Sequence, residues 1–141
     1  MYTSCNHSHV KKAVLDAFTS PESPLRVVVA TIAFGMGVDC PDVRHIIHLG
    51  PTEDIENYVQ QIGRGGRDGK PSFATLLFRK KYAKHVERSM LDYCYNQTSC
   101  RRDILYNDFD NYSRKEIHTL CQCCDICVSI CECRKCKITH E

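Results

Sequence analysis

Gln60-Gln61-Ile62-Gly63-Arg64-Gly65-Gly66-Arg67-Asp68-Gly69 is the most informative stretch of this 141-residue chain. Two arginines stand three apart at the end of a predicted helix, among four glycines. Glycine lets a main chain approach a ligand closely. Arginine supplies fixed, always-charged, bidentate donors that suit phosphate. A Gly-rich turn with solvated arginines is the plainer reading of the same residues. A phosphate-cradling loop is excluded here, because G-x-x-x-x-G-K-[ST] ending at Gly69-Lys70 would need a glycine at Arg64 and a hydroxyl residue at Pro71. No other stretch supplies such a loop, and no D-E-x-[DH] box for magnesium occurs.

Working outward, short apolar runs alternate with helical patterns. Residues 7–19 predict an amphipathic helix, with Val10, Ala13, Val14, Ala17 and Phe18 on one stripe. Pro21 and Pro24 end it. Leu25 to Ile32 reads as a strand buried on both faces, His45 to Leu49 as a second and Phe73 to Phe78 as a third. Tyr2-Thr3-Ser4 is a possible fourth. A helix is expected from about Glu53, with Thr52 as its N-cap. Strand–helix–strand order of this kind implies an α/β layer with a parallel sheet. Tyr58, on that helix, and His45 and His48, on the second strand, read as packing residues rather than catalytic ones.

After Phe78 the character changes. Arg79, Lys80, Lys81, Lys84, Arg88, Arg101 and Arg102 face only Glu87 and Asp92, a local excess of positive charge. Val86, Met90 and Tyr93 form a helical stripe, and a further helix is expected after Thr98. Eleven cysteines with no tryptophan are the unusual feature of the composition, and they crowd towards the end of the chain. The first residues lack the apolar core of a signal peptide, so thiolates for a metal are a better reading than disulfides. No apolar run approaches the roughly 20 residues a membrane span needs. The net charge of +2 says little about partners.

Cys121, Cys124 and Cys127 form C-x2-C-x2-C, and short loops of this type wrap one tetrahedral zinc well. Cys100 is the best candidate for the fourth ligand. Cys123 in place of Cys124, or Cys94 in place of Cys100, are alternatives. Cys131, Cys133, Cys136 and His140 offer a conceivable second set. Cys5 and Cys40 have no metal spacing.

The segment Gln60-x-x-Gly63-Arg64-x-Gly66-Arg67-Asp68-Gly69 resembles helicase motif VI of the RecQ family of DNA helicases. Val29-Ala30-Thr31-Ile32-Ala33-Phe34-Gly35-Met36-Gly37-Val38-Asp39 resembles the same family's motif V, at a suitable distance. Gly65 departs from the family's usual alanine, which would loosen the loop. Cys100-Arg101-Arg102, followed after about 20 residues by C-x2-C-D-x-C, resembles the family's zinc-binding domain. The resemblance implies a fold: residues 1–78 as the C-terminal part of the second RecA-like domain with a parallel sheet, 79–127 as a helical zinc-binding domain, and 128–141 as a disordered Cys-rich tail.

It also implies roles. Arg67 would be an arginine finger on the γ-phosphate of ATP, supported by Arg64 and Gln60, with Asp39 and Gly63 near the nucleotide. Thr31, Gly35, Gly37, Arg101 and Arg102 would contact DNA, and the basic stretch after Phe78 would lie along backbone phosphate. Zn2+ would be structural, on Cys100, Cys121, Cys124 and Cys127. ATP and Mg2+ would enter only in the complete enzyme. The implied activity is ATP-dependent 3′–5′ unwinding of DNA in recombination and repair, in the nucleus of a eukaryote or otherwise the cytoplasm. The implied partners are DNA and the enzyme's first RecA-like domain, with no membrane. A non-catalytic, zinc-stabilised DNA-binding or interaction module is the alternative. A RecA-like domain has five or more parallel strands, so the few found here predict an uncovered apolar face around Val27–Val29.

Overall fold

The structure is a computed structural model that describes residues 2–3, 5–31, 40, 42–106 and 122–132. In chain order the elements are α1 (Ser8–Thr19), β1 (His45–Leu49), α2 (Ile55–Ile62), β2 (Phe73–Leu77), a 3-10 turn (Lys80–Tyr82), α3 (Arg88–Tyr95), α4 (Arg101–Tyr106) and α5 (Asp125–Ser129). β1 and β2 pair in a two-stranded sheet. The Phe73 N–H donates to the Arg44 carbonyl at 2.8 Å, and the Gly50 N–H to the Leu77 carbonyl at 3.1 Å, so the strands run parallel with α2 between them in sequence. This is the strand–helix–strand unit expected of a partial α/β fold.

Each element has a local cause. α1 begins one residue inside the predicted span and stops at the Ser20-Pro21 break. None of its residues is buried, so its apolar stripe is only partly covered among the described residues. α2 begins at Ile55, and its cap is Asp54 rather than Thr52. The Asp54 carboxylate accepts from the Asn57 N–H at 2.6 Å, while the Thr52 hydroxyl donates to the Asp54 carbonyl at 2.7 Å. A carboxylate satisfies an orphan N–H and also suits the positive end of the helix dipole, so it outcompetes the hydroxyl two residues earlier.

Leu25–Ile32 differs from expectation. Its described part, 25–31, makes one isolated parallel bridge, Ala30 to Tyr2, and no extended ladder. Tyr2 N–H donates to the Val29 carbonyl and Thr31 N–H to the Tyr2 carbonyl. Val27 and Val29 are 75% and 61% exposed. β-branched residues favour extended backbone, but a strand persists only where neighbours take its N–H and C=O groups. The bare face around Val27–Val29 matches what the small strand count predicts. The motif V loop, residues 32–39 with Gly35, Gly37 and Asp39, lies outside the described residues.

Contacts divide the chain into two compact units that interleave in sequence. One comprises Met1–His48 and Gln60–Thr75, the other Leu49–Val59 and Leu76–Glu141. In the first, Tyr2 and Cys40 are the buried side chains among the described residues. The second holds the larger core: Tyr58, Met90, Tyr93, Cys100, Leu105, Ile126 and Cys127. Met90 and Tyr93 are the buried members of the stripe read on α3, and Tyr58 is buried on α2. Val128 and Ser129 belong to α5, while the tail from 133 onward lies outside the described residues. No helix among the described residues is long and apolar enough to cross a membrane.

Candidate functional site

The sulfurs of Cys100, Cys123, Cys124 and Cys127 all lie within 4.8 Å of one another. Two short helices bring them together. Cys100 precedes α4 and its carbonyl accepts from the Ile104 N–H. Its approach is set by Asn96, whose side-chain oxygen accepts from the N–H groups of Thr98 and Ser99 and whose amide donates to the Ser99 carbonyl. Cys124 is the N-cap of α5 and its sulfur accepts from the Cys127 N–H. The one sulfur thus serves both as the helix cap and as a member of the cluster.

The cluster fits a tetrahedral thiolate site. Zinc–sulfur bonds of about 2.3 Å put ligand sulfurs roughly 3.8 Å apart, and the Cys100 and Cys123 sulfurs are 3.4 Å apart here. The thiol electrostatics point the same way. Burial, together with the neighbouring Cys100, pushes the Cys123 pKa up to about 11. Burial and hydrogen bonding to Cys100 raise Cys127 as well. Cys124 is lowered: burial opposes ionisation, but the N–H groups of Cys127 and Arg101 outweigh it. Four sulfurs this close cannot all ionise without a counter-charge, and a divalent cation supplies one. Cys100, Cys123, Cys124 and Cys127 would hold zinc as a structural cross-link between the start of α4 and α5. Cys121 lies outside the described residues, as do Cys133, Cys136 and His140. Cys94 lies outside the cluster, and burial raises its pKa.

Arg101 ties the cluster to the core. Its Nε and Nη2 donate to the two Asp125 carboxylate oxygens at 2.5 and 2.9 Å, and Nη1 donates to the Tyr93 carbonyl at 3.2 Å. The guanidinium also lies over the Tyr93 ring, 5.4 Å from its centroid. Tyr93 in turn packs on Tyr58 with ring centroids 5.4 Å apart, and burial pushes both phenols up. The Arg101 contact holds the Asp125 carboxyl below its usual range. The resemblance implies a DNA contact for Arg101, but here its donors are engaged within the fold. Arg102 is exposed. Asp125→Asn is expected to lower the melting temperature by an amount worth about 1–2 kcal/mol, since a charge-assisted pair is weakened and Arg101 keeps its other contacts. Calorimetry of the zinc-loaded chain reads this, with zinc content unchanged.

The arginine segment is a hydrogen-bonded loop. Gly65 N–H donates to the Ile62 carbonyl, Gly66 N–H to Val43 and Gly69 N–H to Gly66. Gly66 has φ +68°, and a Cβ there would lie 2.7 Å from the Lys70 carbonyl oxygen. Arg44 donates to Asp68 at 2.5 Å and also to the Lys70 and Pro71 carbonyls. That pairing lowers the Asp68 pKa. Gly65 does not loosen the loop: a Cβ there would meet Ser72 Oγ at 2.9 Å and Ile46 Cδ1 at 3.3 Å, so its neighbours fill the space. Arg67 is exposed between these fixed points, and Gln60 and Gly63 are exposed as well. The Arg64 Nε is buried and has no hydrogen-bond partner among the described residues. Thr31 is exposed. His45 stacks on Phe73 at 5.4 Å, and burial lowers the His48 pKa, both in keeping with packing roles.

Residues 2–69 match the helicase conserved C-terminal domain family, and residues 52–128 match the RecQ zinc-binding family. Among curated proteins the chain is 35% identical over 125 residues to ATP-dependent helicase wrn-1 of Caenorhabditis elegans, covering 75% of this chain and 12% of that protein. It is 42% identical over 92 residues to ATP-dependent DNA helicase Q4 of Homo sapiens, covering 61% and 8%. It is 54% identical over 70 residues to the Mus musculus protein of the same name, covering 50% and 6%. The chain therefore spans a small part of the length of these relatives. With a four-thiol cluster inside the region that matches the zinc-binding family, the chain belongs to the RecQ family of helicases.

Proposed function

We propose that the chain works as part of an ATP-dependent 3′–5′ DNA helicase that unwinds DNA in recombination and repair, in the nucleus of a eukaryote. Residues 1–78 act as part of the second RecA-like domain, 79–127 as the zinc-binding domain and 128–141 as a tail. In the assembled motor ATP and Mg2+ sit against the first RecA-like domain, and Arg67 reaches the transferred phosphoryl group, where charge builds. Arg64 and Gln60 support it, with Gly63 and Asp39 close to the nucleotide. Thr31, Gly35, Gly37 and Arg102 contact the DNA backbone. The zinc holds α4 and α5 in one arrangement and takes no part in the chemistry.

The observation that carries this reading is the pairing of an exposed Arg67, on a loop pinned by Arg44 and Asp68, with a four-thiol cluster in one short chain. The Arg64 Nε, buried and without a hydrogen-bond partner among the described residues, is a further donor on the same loop. The 141 residues by themselves contain no phosphate loop, so Arg67 has no nucleotide to complete. The purified chain is expected to show no ATP hydrolysis with or without single-stranded DNA. Hydrolysis stimulated by single-stranded DNA and retained through stringent purification would refute this division of labour.

A further inference from the structure

Two buried phenols, Tyr58 and Tyr93, have no part in the chemistry assigned above. Tyr58 is the one buried residue of α2. A helix of eight residues does not hold itself together in water, so its position comes from what it packs on. Among the described residues α3 supplies that support. The Tyr58 and Tyr93 ring centroids stand 5.4 Å apart with the planes tilted by 49°, and the two phenols are also hydrogen bonded. Just before α2, the Glu53 carbonyl accepts from the Glu87 N–H at 2.7 Å, and the Thr52 hydroxyl lies 3.7 Å from the buried Met90 sulfur.

Tyr93 is held in turn. Arg101 Nη1 donates to its carbonyl at 3.2 Å, and the guanidinium stands 5.4 Å from its ring centroid. Arg101 is itself fixed by the Asp125 carboxylate, next to the cluster residue Cys124. The far end of α2 leads straight into the arginine segment. Gln60 lies on the helix. Arg64 N–H donates to the Gln61 carbonyl at 3.3 Å and Gly65 N–H to the Ile62 carbonyl at 3.1 Å. The loop that carries Arg67 therefore continues from the helix through hydrogen-bonded turns. A small tilt of α2 is passed to Gln60 and Arg64, and to the base of that loop.

We propose that Tyr93 is a positioning residue for the arginine segment: its contact with Tyr58 seats α2, and α2 sets where Gln60, Arg64 and Arg67 start from. The proposal rests on the helicase reading and deepens it. It names a side chain outside the arginine segment, on a helix next to the thiol cluster, on which the nucleotide-side residues depend. An aromatic pair is suited to this work, because two large rings in contact favour particular offset or tilted arrangements over others. Catalysis is sensitive to such seating, since a displacement of about 1 Å can cost as much as about 100-fold in rate.

The test has two arms. In the zinc-loaded chain, Tyr93→Leu is expected to speed amide hydrogen exchange in α2 about tenfold while β2 exchanges as in the parent. Unchanged exchange in α2 would overturn the proposal. In a full-length helicase that carries this segment, Tyr93→Leu is expected to lower ATP turnover at saturating ATP about tenfold, with nucleotide affinity within a few fold and zinc content unchanged. Tyr93→Phe keeps the ring and is expected to restore turnover to within about twofold of the parent. Tyr95→Leu, on the same helix but packed on Phe78, is expected to match the parent. Combined with Arg67→Ala, Tyr93→Leu should cost nothing further, because its effect runs through the arginine segment. A full additional loss in the double variant would overturn the proposal. If Arg67→Ala collapses turnover and Tyr93→Leu leaves it normal, this proposal alone fails. If Arg67→Ala itself leaves turnover normal, the finger reading fails and takes this proposal with it. Should Tyr93→Leu lose zinc, Tyr58→Leu removes the same contact from the α2 side and is read in its place.

Discussion

Alanine in place of any one of Cys100, Cys123, Cys124 or Cys127 is expected to empty the metal centre and unfold the chain from α4 onward. α4 has six residues and α5 has five, far below the roughly 12–15 an isolated helix needs. Among the described residues around them the buried side chains are few: Leu105, Ile126, Cys100 and Cys127. Zinc binding worth about 10–16 kcal/mol in zinc-finger peptides is comparable to the whole stability of a domain, about 5–15 kcal/mol. Three thiols cannot recover that. Metal analysis and dichroism of single variants give the readout. Cys94→Ala and Cys131→Ala should keep zinc, since neither sulfur belongs to the cluster. Cys121→Ala is the informative neighbour: retention of zinc there, with loss in Cys123→Ala, supports the ligand set proposed here. The reverse pair would put Cys121 in the fourth position and restore the C-x2-C-x2-C register.

Arg67→Ala, placed in a full-length helicase that carries this segment, is expected to cut ATP turnover by about 10³–10⁵ while nucleotide affinity stays within a few fold. That range corresponds to about 4–7 kcal/mol of transition-state stabilisation. The loop that carries this side chain is held on both sides. Arg44, Asp68 and the hydrogen-bonded Gly65–Gly69 backbone hold the loop on both sides of Arg67, so the guanidinium starts from a defined base. Rates at saturating ATP, set beside nucleotide binding measured directly, separate a transition-state role from a binding role. Lost binding with normal turnover per bound nucleotide would remove the finger assignment.

Periodicity and spacing were reliable where local physics sets the outcome. The α3 stripe placed Met90 and Tyr93 in the core, and both are buried. The 45–49 and 73–77 strands form, and Pro21 ends α1. The clustering of Cys100, Cys124 and Cys127 was legible from C-x2-C spacing together with the resemblance of C-R-R and C-x2-C-D-x-C to the family's zinc-binding domain. What spacing missed depends on partners far away in sequence. Leu25–Ile32 has the composition of a buried strand, yet its described part makes a single bridge because a ladder needs neighbours. Cys123 was weighed only as a one-residue slip in place of Cys124, because Cys124-Asp125-x-Cys127 fits the family register, whereas its sulfur lies in the cluster beside that of Cys124. A doubled cysteine beside a C-x2-C was nonetheless a signal that either thiol, or both, could serve. Arg101 carried no sign that its charge would be spent on Asp125, 24 residues on. Gly65 looked like slack in a loop, and only the closeness of Ser72 and Ile46 shows that it is packing.

X-ray absorption at the zinc edge, with metal stoichiometry, is the most direct test of the account. The chain purified with zinc is predicted to hold one ion with four sulfur neighbours at about 2.3 Å, and to lose its cooperative unfolding transition when the metal is chelated. A site with nitrogen or oxygen neighbours, or an unchanged fold after full removal of zinc, would contradict it.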